Sequence, residues 1–251
     1  MSIESRGRVR TERGAKRVRA VFAGKVVADT TRPLLVWEVP YYPTYYFPRE
    51  DVRTELIVPT GQTRRSPSRG EGRVSTLRVG EREAVEAVTD YPESPLEELR
   101  DHVRLDWDAM DAWFEEDEEV YVHPRDPHTR IDILPSSRHV RVEVNGVTVA
   151  DSRSPRLLFE TGLPTRYYLP KVDVRLDLLE PSDRVTRCPY KGETRYFSVR
   201  AGAELVPDLA WTYPTPLPES ERIAGLIAFT DELVDVYVDG QLQERPKTKF
   251  A

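Results

Sequence analysis

The chain has 251 residues, of which 39% are hydrophobic and 32% charged, and its formal net charge is −6. That length accommodates two ordinary domains with cores of their own, no apolar run nears the roughly 20 residues of a membrane helix, and the acidic balance argues against a nucleic-acid footprint. A single cysteine excludes an internal disulfide and a thiolate zinc site, and it fits a reducing cytoplasm.

The chain opens with a basic stretch (Arg6, Arg8, Arg10, Arg13, Lys16) that lacks the apolar core of a secretory signal. Residues 1–16 are therefore expected to form a disordered arm. Residues 17–127 read as a first β domain. Val18 to Phe22, Ala23-Gly24 and Lys25 to Ala28 suggest a hairpin, and Leu35-Val36-Trp37 a buried strand ending at Glu38. Ser94-Pro95-Leu96-Glu97 has a capping-box pattern, and Leu96, Leu99, Val103, Trp107 and Met110 follow at helical spacing. That pattern predicts a helix, followed by an acidic run from Asp106 to Glu119 that reads as a solvated face. Residues 128–138, rich in Pro, Asp and Arg, are expected to be a linker. Residues 139–245 read as a second β domain, and residues 246–251 as a tail. Val140, Val142 and Val144 alternate with charged residues before Asn145-Gly146, the strongest short-range hairpin signal in the chain.

The second domain repeats the first. Gly24 and Gly146 are separated by a constant offset (146 − 24 = 122) that also pairs Glu38 with Glu160, Tyr45-Tyr46 with Tyr167-Tyr168, Asp51-Val52-Arg53 with Asp173-Val174-Arg175, Gly70 with Gly192, and Tyr91 with Tyr213. A register held over such a stretch marks a duplication. The frequent Pro, Gly and Asp clusters leave little room for long helices. The fold class is thus mainly β: two tandem small antiparallel domains, each a barrel or sandwich with few short helices. Aligning Val120-Tyr121-Val122 with Val236-Tyr237-Val238 (236 − 120 = 116) predicts six extra residues in copy one (122 − 116 = 6), coinciding with the acidic run.

The copies differ most where the second reads Cys188-Pro189-Tyr190-Lys191-Gly192 and the first Ser66-Pro67-Ser68-Arg69-Gly70. A thiol flanked by Arg187 and Lys191 is a candidate nucleophile, because a nearby cation favours thiolate. The same thiol also suits a small buried hydrophobe. Glu38 and Glu160, at the ends of apolar strands, need partners, for which Arg53 and Arg175 are available. Their presence in both copies favours a structural role over acid/base work. Arg166, Tyr190 and Tyr196 occur in copy two alone and, with Tyr168, suit the wall of a small-molecule pocket. In that pocket Arg166 and Lys191 would hold an anionic or carbonyl group, the tyrosines would stack or donate hydrogen bonds, and Cys188, Lys191 and Glu160 would form the reactive set. No metal or cofactor is expected: Walker-type loops, Gly-x-Ser-x-Gly and His-Glu-x-x-His are all absent. The residues leave open an enzyme, a non-catalytic ligand-binding or protein-interaction module, and a structural Cys188; oligomeric state is not readable.

Leu158 to Pro170, Asp173-Val174-Arg175, Cys188 to Gly192, Ile223 to Phe229 and Val234 to Gly240 together resemble the domain-of-unknown-function 427 family in a two-domain form. The resemblance implies a compact, mostly β domain of the tent-like, Mss4-like type. Paired Cys-x-x-Cys motifs, which relatives of that type use for zinc, are absent. A nucleotidyltransferase-like label attached to the family finds no matching Gly-Ser and paired-Asp pattern in this chain. Copy one departs from the family at the Cys-Pro-Tyr-Lys-Gly motif.

Overall fold

The computed structural model describes residues 9–248, so most of the expected arm and the last three residues of the expected tail lie outside the described residues. The chain divides into two units between Asp126 and Pro127. Regular structure in both is β, and the only helices among the described residues are short 3-10 turns. No helix of the described residues is long and apolar enough to cross a membrane.

The first unit contains β1 (Arg10–Arg13), β2 (Val18–Phe22), β3 (Lys25–Thr30), β4 (Leu34–Val39), β5 (Tyr42–Pro48), β6 (Ile57–Ser66), β7 (Gly70–Val79), β8 (Arg82–Asp90), β9 (His102–Leu105), β10 (Ala112–Glu115) and β11 (Glu118–Val120). They form a seven-stranded sheet in the order β1-β4-β5-β9-β8-β7-β6 and a four-stranded sheet in the order β11-β10-β2-β3. The pairing is antiparallel throughout, and neither sheet closes into a barrel. The hairpin β2–β3 turns at Ala23 and Gly24, both with positive φ (50° and 70°), the geometry that matches strand twist in a two-residue turn. Val18, Ala20 and Phe22 alternate inward and join Leu77, Val103 and Trp113 in the main core. A second, smaller cluster gathers Leu34, Val36, Tyr46, Tyr91 and Leu99.

The second unit contains β12 (Ile131–Pro135), β13 (Val140–Val144), β14 (Val147–Ser152), β15 (Arg156–Glu160), β16 (Arg166–Tyr168), β17 (Leu179–Pro181), β18 (Arg187–Cys188), β19 (Gly192–Glu193), β20 (Arg195–Ala201), β21 (Glu204–Thr212), β22 (Ile227–Phe229), β23 (Asp235–Val238) and β24 (Gln241–Leu242). The sheet of β14-β13-β23-β24 repeats the four-stranded sheet of the first unit. What is one seven-stranded sheet there is three here: β12-β15-β16, β17-β20-β21-β22 and β18-β19. Two interruptions cause the division. β16 meets β22 only through the bridge Leu169↔Ile227, whereas β5 and β9 share three pairs. The counterpart of the continuous β6 is broken between Pro181 and Arg187. The core again has two parts, a large one that includes Val140, Leu169 and Phe229 and a small one around Tyr168, Tyr213 and Ile223.

Four expectations need correction. β1 lies among residues expected to be an arm and β12 among those expected to be a linker. Both are edge strands, Arg10↔Trp37 and Asp132↔Phe159 occupying matching places; β1 is polar and held by main-chain pairing, whereas β12 also buries Ile133 in the smaller core. The expected helix is absent. Leu99 ends a 3-10 turn (Glu97–Leu99), Val103 and Leu105 pair with Phe47 and Val88 in β9, and Trp107 and Met110 lie in the turn beyond it. Sheet pairing overrides the local helical spacing. The six-residue acidic insertion also disappears. Trp113 opposes Ala20 as Val236 opposes Val142, so the true offset is 123 (236 − 113 = 123) and β10–β11 is the counterpart of β23–β24. The acidic side chains there are partnered locally: Asp111 by Arg82, Asp117 by Arg19, Glu115 by Lys16 and Glu118 by Arg125.

Candidate functional site

Cys188 ends the two-residue strand β18 and opposes Gly192 across a tight turn. Gly192 has φ of 97°, and a Cβ there would meet the backbone of Thr215 and Leu217 at 3.4 Å, so only glycine suits the position. The turn is clamped from outside. Leu217 N–H donates to the Lys191 carbonyl (3.1 Å), and the fully buried Ser220 hydroxyl donates to the Tyr190 carbonyl (3.2 Å). This clamp directs Lys191 inward, where its ammonium pairs with Glu160. Both side chains are nearly buried, 12% and 8% exposed, so each neutralises a charge that would be costly alone.

Tyr168 is wholly buried beside this pair and accepts a hydrogen bond from Trp211 Nε1 (3.3 Å). Burial pushes its phenol well above the ordinary value, and the neighbouring Cys188 and Glu160 push in the same direction. Tyr213 behaves likewise, raised first by burial and then by Tyr168 and Cys188. Cys188 thus lies within electrostatic reach of two buried phenols while remaining partly exposed. Tyr196 packs near Trp211 (ring centroids 6.3 Å) and shares a hydrogen bond with Thr186 (3.0 Å).

The structure brings Glu160, Lys191, Tyr168 and Cys188 into one neighbourhood, with Tyr190 and Tyr196 on its flanks. Arg166 is engaged elsewhere. Its guanidinium forks onto Glu232 (2.8 Å for one arm) and reaches Asp231 at 3.3 Å. Two cavities, of about 1050 Å³ beside Arg13 and His102 and of about 190 Å³ beside Tyr167 and Asp231, are lined by none of these residues. Nor do Arg53 and Arg175 serve the strand-end carboxylates. Arg175 pairs with Asp177, while Glu38 takes Arg69, Arg104 (3.3 Å) and the Tyr46 hydroxyl (2.7 Å).

Arg69 stands where copy two has Lys191, so the buried carboxylate–cation pair belongs to both copies. In copy one the cation does more: it donates to Ser66 Oγ (3.1 Å) and to the Tyr46 hydroxyl (2.9 Å), tying the whole group together. Burial again raises Tyr46 far above the ordinary phenol value. The sequence reading missed Asp231 and Glu232. Their signal was their spacing behind Phe229, at the end of a motif whose strand was anticipated but whose carboxylates were not. Burial pushes Asp231 up to about 7, because Arg166 commits both arms to Glu232 and offers Asp231 only a longer contact. Glu232, held by Arg166 and by Thr248 (2.6 Å), goes the other way, below the ordinary value despite its burial. Among the described residues no group of three or more His, Cys, Asp or Glu is gathered to hold a metal ion.

A duplicated, open-sheeted β unit with a buried carboxylate–cation pair beneath a proline–glycine turn defines the class of protein. The chain matches the family described as Domain of unknown function (DUF427) twice, over residues 10–116 and 132–240, and it belongs to that family. Those segments begin at β1 and β12 and end at the β10–β11 and β23–β24 turns, as the strand register requires. No curated protein matches the chain.

Proposed function

We propose that the second unit is the working half of the protein and takes a small carbonyl- or anion-bearing molecule at Cys188, with the first unit as its inactive copy. One contrast carries this reading. In copy one Ser66 is held by Arg69, which also holds Glu38 and Tyr46. In copy two Lys191 bonds Glu160, and no hydrogen bond joins it to Cys188, whose thiol remains partly exposed. A thiol beside this pair can add to an electrophilic carbonyl carbon, its proton passing to the carbonyl oxygen, with the Lys191 ammonium, held by Glu160, donating to that oxygen. The single-cysteine chain and its soluble composition suit a reducing cytoplasm.

The test is alkylation of the folded protein by iodoacetamide, read by intact mass, followed by incubation with aldehydes and 2-oxo acids. Native labelling at a rate near that of the denatured chain, together with a thiol adduct or a converted compound, supports the proposal. Labelling only after denaturation sinks it. A second reading, a non-catalytic interaction module with a structural Cys188, is favoured by the carboxylate–cation pair that both copies share. It requires that Cys188→Ser leave every activity and partner of the protein unchanged.

A further inference from the structure

The two copies also differ at the opposite end of Arg166. In copy one Tyr45, Trp107 and Trp113 pack ring against ring: the tryptophans stack at 4.7 Å, and Tyr45 lies 6.4 and 6.0 Å from them. Strand register places Tyr167 and Val236 at the positions of Tyr45 and Trp113. Asp231 takes the place of Trp107, since Asp106 N bonds Ala87 O (2.7 Å) as Thr230 N bonds Leu209 O (2.9 Å). Removing two indoles leaves a cavity of about 190 Å³, lined by Tyr167, Asp231 and Val236 with Pro164, Val234 and Glu244. A water molecule occupies about 30 Å³ of liquid, so the space suits a few waters or one small organic group.

The charged groups that line this cavity are both acidic, Asp231 and Glu244, and Thr165, Tyr167 and Gln243 add neutral polar groups. Asp231 is nearly buried and spends one oxygen on Arg166. Among the described residues Glu244 has no ion-pair partner and the Tyr167 hydroxyl no hydrogen bond, whereas the equivalent Tyr45 hydroxyl donates to Glu115. Val234, Val236, Pro164 and Pro246 give it an apolar wall. We infer that this cavity is a binding site for a small primary alkylammonium, its charged head on Asp231 and Tyr167 and its short chain against the valines. The site stands apart from Cys188 and does not depend on the function proposed for that residue.

Bound ammonium favours the ionised form of Asp231, so affinity rises with pH through about 7. The groups facing Asp231 are Arg166 from β16, Glu232 beside it, Tyr167, and Glu244 of the C-terminal segment. Of these, Arg166 stays charged and Glu232 is ionised across that range.

The experiment is calorimetric titration of the full chain with n-butylammonium, with n-butanol as the neutral isostere. Saturable one-to-one binding of the amine, about tenfold tighter at pH 8 than at pH 6, is expected, with butanol at least tenfold weaker. Asp231→Asn should lose the amine tenfold or more. Val236→Trp, which restores the copy-one filling, should abolish binding with Asp231 intact, and Cys188→Ser should leave it unchanged. Equal binding of butanol, unchanged affinity in Asp231→Asn, or no saturable binding of the amine at pH 8 would overturn the inference.

Discussion

The two copies share a frame and differ in what the frame encloses. Both place a carboxylate at the end of an apolar strand, a cation on a proline–glycine turn above it, and a buried tyrosine beside the pair. Around that pair copy one is closed: Arg69 is shared among Glu38, Tyr46 and Ser66, and stacked tryptophans occupy the volume beside Tyr45. Copy two leaves a thiol unbonded by its cation, a phenol without a partner, and a cavity edged by a buried acid. The difference teaches that the carboxylate–cation pair is architecture. Function is to be sought in what copy two leaves open.

The largest expected effect tests how far the pairs are equivalent. Lys191→Ala strands a buried Glu160 and should destabilise the second unit by about 3–5 kcal/mol in urea unfolding of the full chain. Arg69→Ala should do less, because Glu38 keeps Arg104 and Tyr46. Equal losses would break the comparison.

Asp231 supplies a pH-dependent contrast that Trp107 cannot. Its folded value of about 7 lies above that of an unfolded aspartate, so between about pH 4 and 7 the folded state holds a proton that the unfolded chain has released. Stability is full below that window and falls as pH rises through it. Asp231→Asn should remove this slope and gain at most about 4 kcal/mol at pH 8, offset by the contact Arg166 loses. A slope unchanged in the variant would assign the effect to another group.

The tyrosines should separate in the same direction. Tyr46 bonds two charged groups, so Tyr46→Phe should lose about 1.5–3 kcal/mol, whereas Tyr168→Phe loses one long bond and about 1 kcal/mol. The reverse order of unfolding midpoints would mean that the pair in copy two leans on Tyr168 more than its geometry indicates. The smallest effect lies in the hairpins. Ala23 adopts the positive φ that Asn145 adopts in copy two, so Ala23→Asn should stabilise the first unit by about 1 kcal/mol, measured as a raised Tm.

The duplication, the β class, the hairpins at Ala23-Gly24 and Asn145-Gly146, and the place of Glu160 at a strand end were all legible in the order of residues. These features write themselves locally, as alternation, turn chemistry and a fixed spacing between copies. Edge strand β1 was not, since its stability lies in main-chain bonds that any side chains permit, and the apolar Ile131, Ile133 and Leu134 of β12 were obscured by the Pro, Asp and Arg around them. The helix expected after Ser94 failed for the opposite reason: a strong local pattern yielded to long-range pairing of Val103 and Leu105. The partners of the charged groups were equally beyond the sequence. That Arg69 and not Arg53 serves Glu38, that Arg166 serves Glu232, and that Asp231 shares a cavity with Tyr167 depend on side chains brought together from distant strands. Spacing along one chain fixes which face a residue occupies, and only the packed sheets decide what it meets there.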